Sequence, residues 1–162
     1  MSFDERQSQQ AFFHSILMMV LSQAFDAAGY YLISNEIQLN GGLFRFRKSF
    51  SEHSYAFIDF QLLAYTDTMY ASRLPSRFRV TLFCSSSALA KPDAMLRQRS
   101  LSQLVVEDFA TPILPSANYW WQFSNTDELG KALAEAGHLI VGYAMPWLSG
   151  DLIPPDNSAS GG

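Results

Sequence analysis

Apolar residues recur every three or four positions between residues 5 and 28, with Phe13, Ile16, Leu17, Val20, Ala24 and Ala27 in phase. That spacing predicts an amphipathic helix, and Gly29 is placed to end it. Phe12, Met18, Met19 and Leu21 widen the apolar stripe. The helix is therefore expected to be buried on several sides, or to lend its outer side to a subunit contact.

From residue 30 the period shortens to two. Tyr30–Leu39 reads as a strand, Asn40-Gly41-Gly42 as a turn and Leu43–Phe50 as the returning strand. After the polar turn Ser51–Ser54 comes a longer strand, Tyr55–Tyr65. Arg77–Cys84 is a fourth, beyond a polar connection containing Pro75. Short links between neighbouring strands favour an antiparallel meander. Further on, Ala94–Leu104 is expected as a short helix, Leu104–Phe109 as a fifth strand and Tyr119–Phe123 as a short aromatic strand, with Pro112 and Pro115 enforcing a loop between the last two. Thr126 is a plausible N-cap for a second helix, Asp127–Val141, whose inner face carries Leu129, Leu133, Ala136 and Ile140. Pro146 is expected to stop that helix. The predicted fold class is α+β: an antiparallel sheet of about 4–6 strands with N-terminal and C-terminal helices packed on one face. It forms a single domain over residues 1–150, followed by a flexible tail, Asp151–Gly162.

Composition sharpens this outline. Of 162 residues, 48% are hydrophobic and 14% aromatic, enough for one substantial core, while only 16% are charged. So little surface charge is consistent with a homodimer. The net charge of −4 argues against nucleic acid as the default partner, since such binding neutralises phosphates. The charge is nevertheless uneven. Residues 40–80 hold six bases (Arg45, Arg47, Lys48, Arg73, Arg77, Arg79) against three acids (Glu52, Asp59, Asp67), a local +3 that leaves −7 elsewhere. The acidic start, Asp4-Glu5-Arg6, and the breaks at His14, Ser15, Ser22 and Gln23 fit neither a secretory signal nor a membrane span. A cytoplasmic location with no membrane partner is the expectation.

Strand alternation sorts the sheet's two faces. One takes Phe44, Phe46, Ala56, Ile58, Phe60, Leu62, Phe78, Val80, Leu82 and Cys84, and is core. The other takes Arg45, Arg47, Tyr55, Phe57, Asp59, Gln61, Arg77, Arg79, Thr81 and Phe83. The candidate binding residues are Arg45, Arg47, Tyr55, Phe57, Asp59, Gln61, Arg77 and Arg79. Arginine donates paired bonds to carboxylate or phosphate, and the aromatic rings could stack on a ligand. The plainer alternative is a solvated face on which Asp59 pairs with one or two arginines across strands.

Other candidate chemistry is thin. The lone cysteine, Cys84, falls on the apolar face with no histidine beside it in sequence and reads as a buried, inert thiol. His14, His53 and His138 show no metal-ligand spacing, so neither a metal nor a cofactor is expected. Trp120-Trp121 directs one ring to each side of its strand, one to the core and one to a contact surface.

The order of these parts resembles a bacterial family of domains of unknown function. The resemblance spans about residues 10–150 and is carried by Ala28-Gly29-Tyr30, Ile58-Asp59-Phe60-Gln61, Phe78-Arg79-Val80, Trp121-Gln122-Phe123 and the ending Tyr143-Ala144-Met145-Pro146-Trp147-Leu148. It implies a fold and a cytoplasmic bacterial origin, with no catalytic residues to carry over. The expected function is a non-enzymatic binding or interaction domain, taking an unknown protein or a small anionic ligand on the Arg/aromatic face or the groove beside it. Two alternatives stay open: an enzyme acting on a small anionic substrate, with Asp59 or a histidine moving protons, and a single-stranded nucleic-acid-binding domain.

Overall fold

In the computed structural model, residues 3–63 and 75–155 are described, with side chains from residue 8 onward. Arg73, Asp67, the end of the Tyr55–Tyr65 strand and the tail beyond Pro155 lie outside the described residues. The order is α1 (Phe3–Ala28), β1 (Tyr31–Leu32), α2 (Glu36–Asn40), β2 (Leu43–Ser51), β3 (Ser54–Leu63), β4 (Ser76–Ser85), β5 (Met95–Ser100), β6 (Trp121–Phe123), α3 (Thr126–Leu139) and α4 (Met145–Ser149). All strand pairs are antiparallel, in the order β1-β2-β3-β4-β5, and β6 also pairs with β4. This is the expected α+β fold.

The second edge of β4 is shared. β6 takes Ser76, Arg77 and Phe78, while β5 takes Thr81 to Ser85. Arg79 and Val80 fall in the gap between them.

Among the described side chains of α1, Phe13, Leu17, Leu21 and Phe25 are buried, one ridge at four-residue spacing. Phe13 lies 5.1 Å from the Phe44 ring and 5.5 Å from Phe78, and Phe25 lies 4.8 Å from Phe46. Burying each such ring contributes roughly 1.5–3 kcal/mol. The expectation of a helix buried on several sides is corrected: Ala24 and Ala27 are exposed and Met19 is 76% exposed. Ser8–Ala28 is long and apolar enough to cross a membrane by length and composition alone, yet one side of it packs on the sheet. Helix α3 joins α1 on the same layer, where Gly137 lets the two helices approach: a Cβ there would sit 2.6 Å from Leu21 Cδ2.

Several local expectations are corrected for identifiable reasons. The strand Tyr30–Leu39 stops after two residues. Ile33 N–H still bonds to Arg45 O, but the Ser34 hydroxyl then accepts from Arg45 N–H and donates to Leu43 O, replacing the backbone ladder. Asn35 follows with a capping box, its side chain accepting from Gln38 N–H while Gln38 Oε1 accepts from Asn35 N–H, and this starts α2. Ala94–Leu104, read as a helix, is mostly the edge strand β5. Leu104–Phe109, read as a strand, is mostly a π-helical turn over Gln103–Asp108, with the adjacent residues Leu104 and Val105 both buried. Only Trp121–Phe123 of the aromatic segment forms a strand.

The N-cap of α3 is Asn125 rather than Thr126; its side chain accepts from Glu128 N–H. Pro146 does not end the helical run. A π-helical turn over Ile140–Ala144 precedes α4, which places Pro146 in the first turn of a new helix, where its missing N–H costs little.

Candidate functional site

The strand register assembles the predicted polar face in rows. One row reads Arg45, Asp59, Thr81 and Ser100 across β2 to β5; the next reads Arg47, Phe57, Phe83 and Gln98. Gln61 lies opposite Arg79, and Arg77 lies opposite Gln122 of β6. All eight sequence-predicted residues belong to this side of the sheet, but they do not form one open platform.

Phe57 and Phe83 are buried at 0% and 1% exposure, stacked at 4.6 Å with an interplanar angle of 9°. The Arg45 guanidinium sits 5.1 Å from the Phe83 ring and 5.8 Å from Phe57. Phe57 is therefore taken up inside the protein and offers no ring to a ligand. Arg45 is equally committed: its Nε and Nη2 donate to the two Asp59 oxygens at 2.8 and 2.9 Å, a fork that occupies both sides of the carboxylate. Burial pushes the Asp59 carboxyl above its ordinary value against the opposing pull of Arg45, and the bond to Asp59 raises Arg45. The pair is internally neutralised, so Asp59 has no free oxygen positioned to move protons for a substrate.

Arg47 turns toward the other end of the face. It donates to Ala88 O at 3.1 Å, tying the loop after β4 across the sheet, and lies 6.0 Å from the Tyr55 ring. Tyr55 in turn donates its hydroxyl to Glu52 O. The Gln61 amide donates to Gly41 O and Leu62 O and closes the α2–β2 junction.

Arg77 and Arg79 are different. Both guanidiniums lie beneath Trp120, at 4.7 and 5.4 Å from its ring centroid, and neither has a carboxylate partner among the described residues. Arg77 Nε is buried and donates to nothing among the described residues. Each cation–π contact is worth about 0.5–2 kcal/mol, but two like charges under one ring leave their N–H groups short of acceptors. An anion is what this arrangement lacks.

Trp120 is the site residue that sequence reasoning left half-assigned. Its neighbour Trp121 is the core ring, buried and donating its Nε1–H to Glu135 at 2.9 Å. Arg97 and Arg99 were missed altogether. They emerge on the helix side of β5, where Arg99 forks onto Asp108 at 2.9 and 2.7 Å. Arg97 lies 4.6 Å from the Trp147 ring and 3.3 Å from Cys84 Sγ. Cys84 is buried, as its position on the apolar face predicts. None of the histidines is on the polar face: His14 packs against Phe44 on the helix side, His53 lies in the β2–β3 turn and His138 is exposed on α3. Among the described residues no three His, Cys, Asp or Glu side chains converge to hold a metal ion.

Comparison with protein-family models, with curated proteins and with solved structures finds no match.

Proposed function

We propose that this chain is a non-enzymatic binding domain that holds an anionic group, of a protein partner or of a small ligand, against Arg77 and Arg79 beneath Trp120. The observation carrying this reading is the contrast between two sets of arginines on one sheet face. Arg45 is neutralised by a forked carboxylate, whereas Arg77 and Arg79 share an aromatic lid and have no counter-charge among the described residues. A carboxylate or phosphate there would accept charge-assisted bonds from both guanidiniums at once. Because both arginines stand on β4, which is paired to β3 along this stretch, the donors are held in place before the ligand arrives.

A thermal-shift series with pyrophosphate, citrate and an oligoglutamate peptide tests the reading, since a ligand of the native state raises its stability. At least one of the three should raise the wild-type melting temperature, and R77A/R79A, with an unchanged circular-dichroism spectrum, should not respond. Silence from all three probes, or an equal shift in the double variant, counts against the assigned site.

A further inference from the structure

On the opposite side of β6 lies a groove of quite different chemistry. β6 bonds to β4 along one edge and, among the described residues, to no strand along the other. Between that strand and α3 runs an open cleft of about 490 Å³. Glu128 and Glu135, seven residues and about two turns apart, face it from α3, with Lys131 between them. Lys131 is already answered by Asp127 at 3.1 Å, so the cleft keeps two uncompensated carboxylates. One oxygen of each is used internally: Glu135 accepts from Trp121 Nε1 and Glu128 from Ser124 N–H. The second oxygen of each makes no hydrogen bond among the described residues. Tyr119 and Trp121 form a corner beside Glu135, their rings 5.0 Å apart and crossed at 88°. Burial, and then the charge of Glu135, raise the Tyr119 phenol above its ordinary value, in keeping with a carboxylate close to that ring.

We infer that this groove is a second recognition surface, which takes an extended segment of a partner protein as an added strand on β6 and receives its lysine or arginine side chains at Glu128 and Glu135. Strand addition uses the main-chain groups that β6 leaves unpaired, and alternate side chains of the added strand point into the groove. A cationic head at either carboxylate gains ion pairing, and one at Glu135 also lies beside the half-buried Tyr119 ring for cation–π attraction. A small apolar ligand is a poor fit to walls carrying two carboxylates and a lysine, and an acidic segment would meet like charge.

The test uses capped octapeptides followed by NMR on the intact chain. The lysine probe (Val-Lys)4 should shift the amide signals of Trp121, Gln122 and Phe123 and bind at least tenfold more tightly than (Val-Glu)4. A copy methylated at alternate backbone nitrogens should lose at least tenfold. So should E128Q/E135Q with the unmodified probe, a variant that keeps the acceptors for Trp121 Nε1 and Ser124 N–H. R77A/R79A should bind the lysine peptide as wild type does, which separates this surface from the anion site. Absence of binding at millimolar peptide, equal binding of the glutamate probe, or indifference to methylation would each overturn the inference. So would n-butylammonium binding as tightly as the peptide, which would make the groove a cation pocket rather than a strand acceptor.

Discussion

Arg45 and Asp59 face each other across β2 and β3 in direct register and form a two-bond fork at 2.8 and 2.9 Å on a sheet face that otherwise gathers positive charge. Burial nevertheless dominates the carboxyl, raising it above the ordinary value of about 3.9. An acid that binds its proton more readily when folded contributes its stabilising term in full below the unfolded pKa, and loses that term as pH rises through the folded one. Urea titrations of wild type and D59N between pH 7 and pH 3 should therefore show the wild-type advantage growing as the solution is acidified. A wild-type advantage that shrinks in acid would mean that the pull of Arg45 exceeds the cost of burial.

Tyr30 gives a second prediction. Its side chain is 1% exposed, its hydroxyl has no hydrogen-bond partner among the described residues, and burial raises the phenol well above its ordinary value, with Cys84 adding to the effect. An unsatisfied buried hydroxyl costs about 1–3 kcal/mol. Y30F removes it while leaving a ring for Phe25 and Lys48 to pack on. Chemical denaturation should find Y30F as stable as wild type or up to ~2 kcal/mol more stable. Destabilisation by ~1 kcal/mol or more would mean that the hydroxyl has a partner in solution.

The contact between Leu21 and Gly137 sets the spacing of α1 and α3, and a double-mutant cycle can read it. Alanine is favoured over glycine in a helix by about 1 kcal/mol, but the new Cβ would press on Leu21 Cδ2 at 2.6 Å. Overpacking of this kind costs about 1–3 kcal/mol. G137A alone should be neutral to ~2 kcal/mol destabilising, while in an L21A background the same change should stabilise by up to ~1 kcal/mol. Additive effects in denaturant midpoints would show that the helices relax freely apart.

The central part of this fold was legible because its strands follow the simple period. Phe44, Phe46, Ile58, Phe60, Phe78 and Val80 alternate with Arg45, Asp59 and Arg79, and the structure sends the two sets to opposite faces. The same alternation placed Asp59 on one face with Arg45, and the register then sets the two opposite each other. It could not show that Phe57 and Phe83 would be buried on the polar side, because that depends on their mutual stacking and on the guanidinium above them. The segment from Met95 to Asp108 was misread for a different reason. An edge strand exposing Leu96, Arg97 and Gln98 in succession, then a π-helical turn burying Leu104 beside Val105, shows neither the period of two nor that of 3.6. A usable signal is present at Asn35-x-x-Gln38, where the capping box announces a helix inside the alternating stretch Tyr30–Leu39.

The divided edge of β4 has a dynamic consequence. β6 is only three residues long, paired to the sheet on one side among the described residues, and separated from β5 by Arg79 and Val80, which pair with β3 alone. Its anchorage nevertheless lies in the core, since Trp121 and Phe123 are buried and Trp121 stacks on Phe78 at 5.5 Å. Lifting β6 would expose both rings, so Trp120 is fastened over Arg77 and Arg79 by the burial of its neighbour. Amide exchange at residues 121–123 as slow as that of the β3–β4 ladder would report a cover that stays shut.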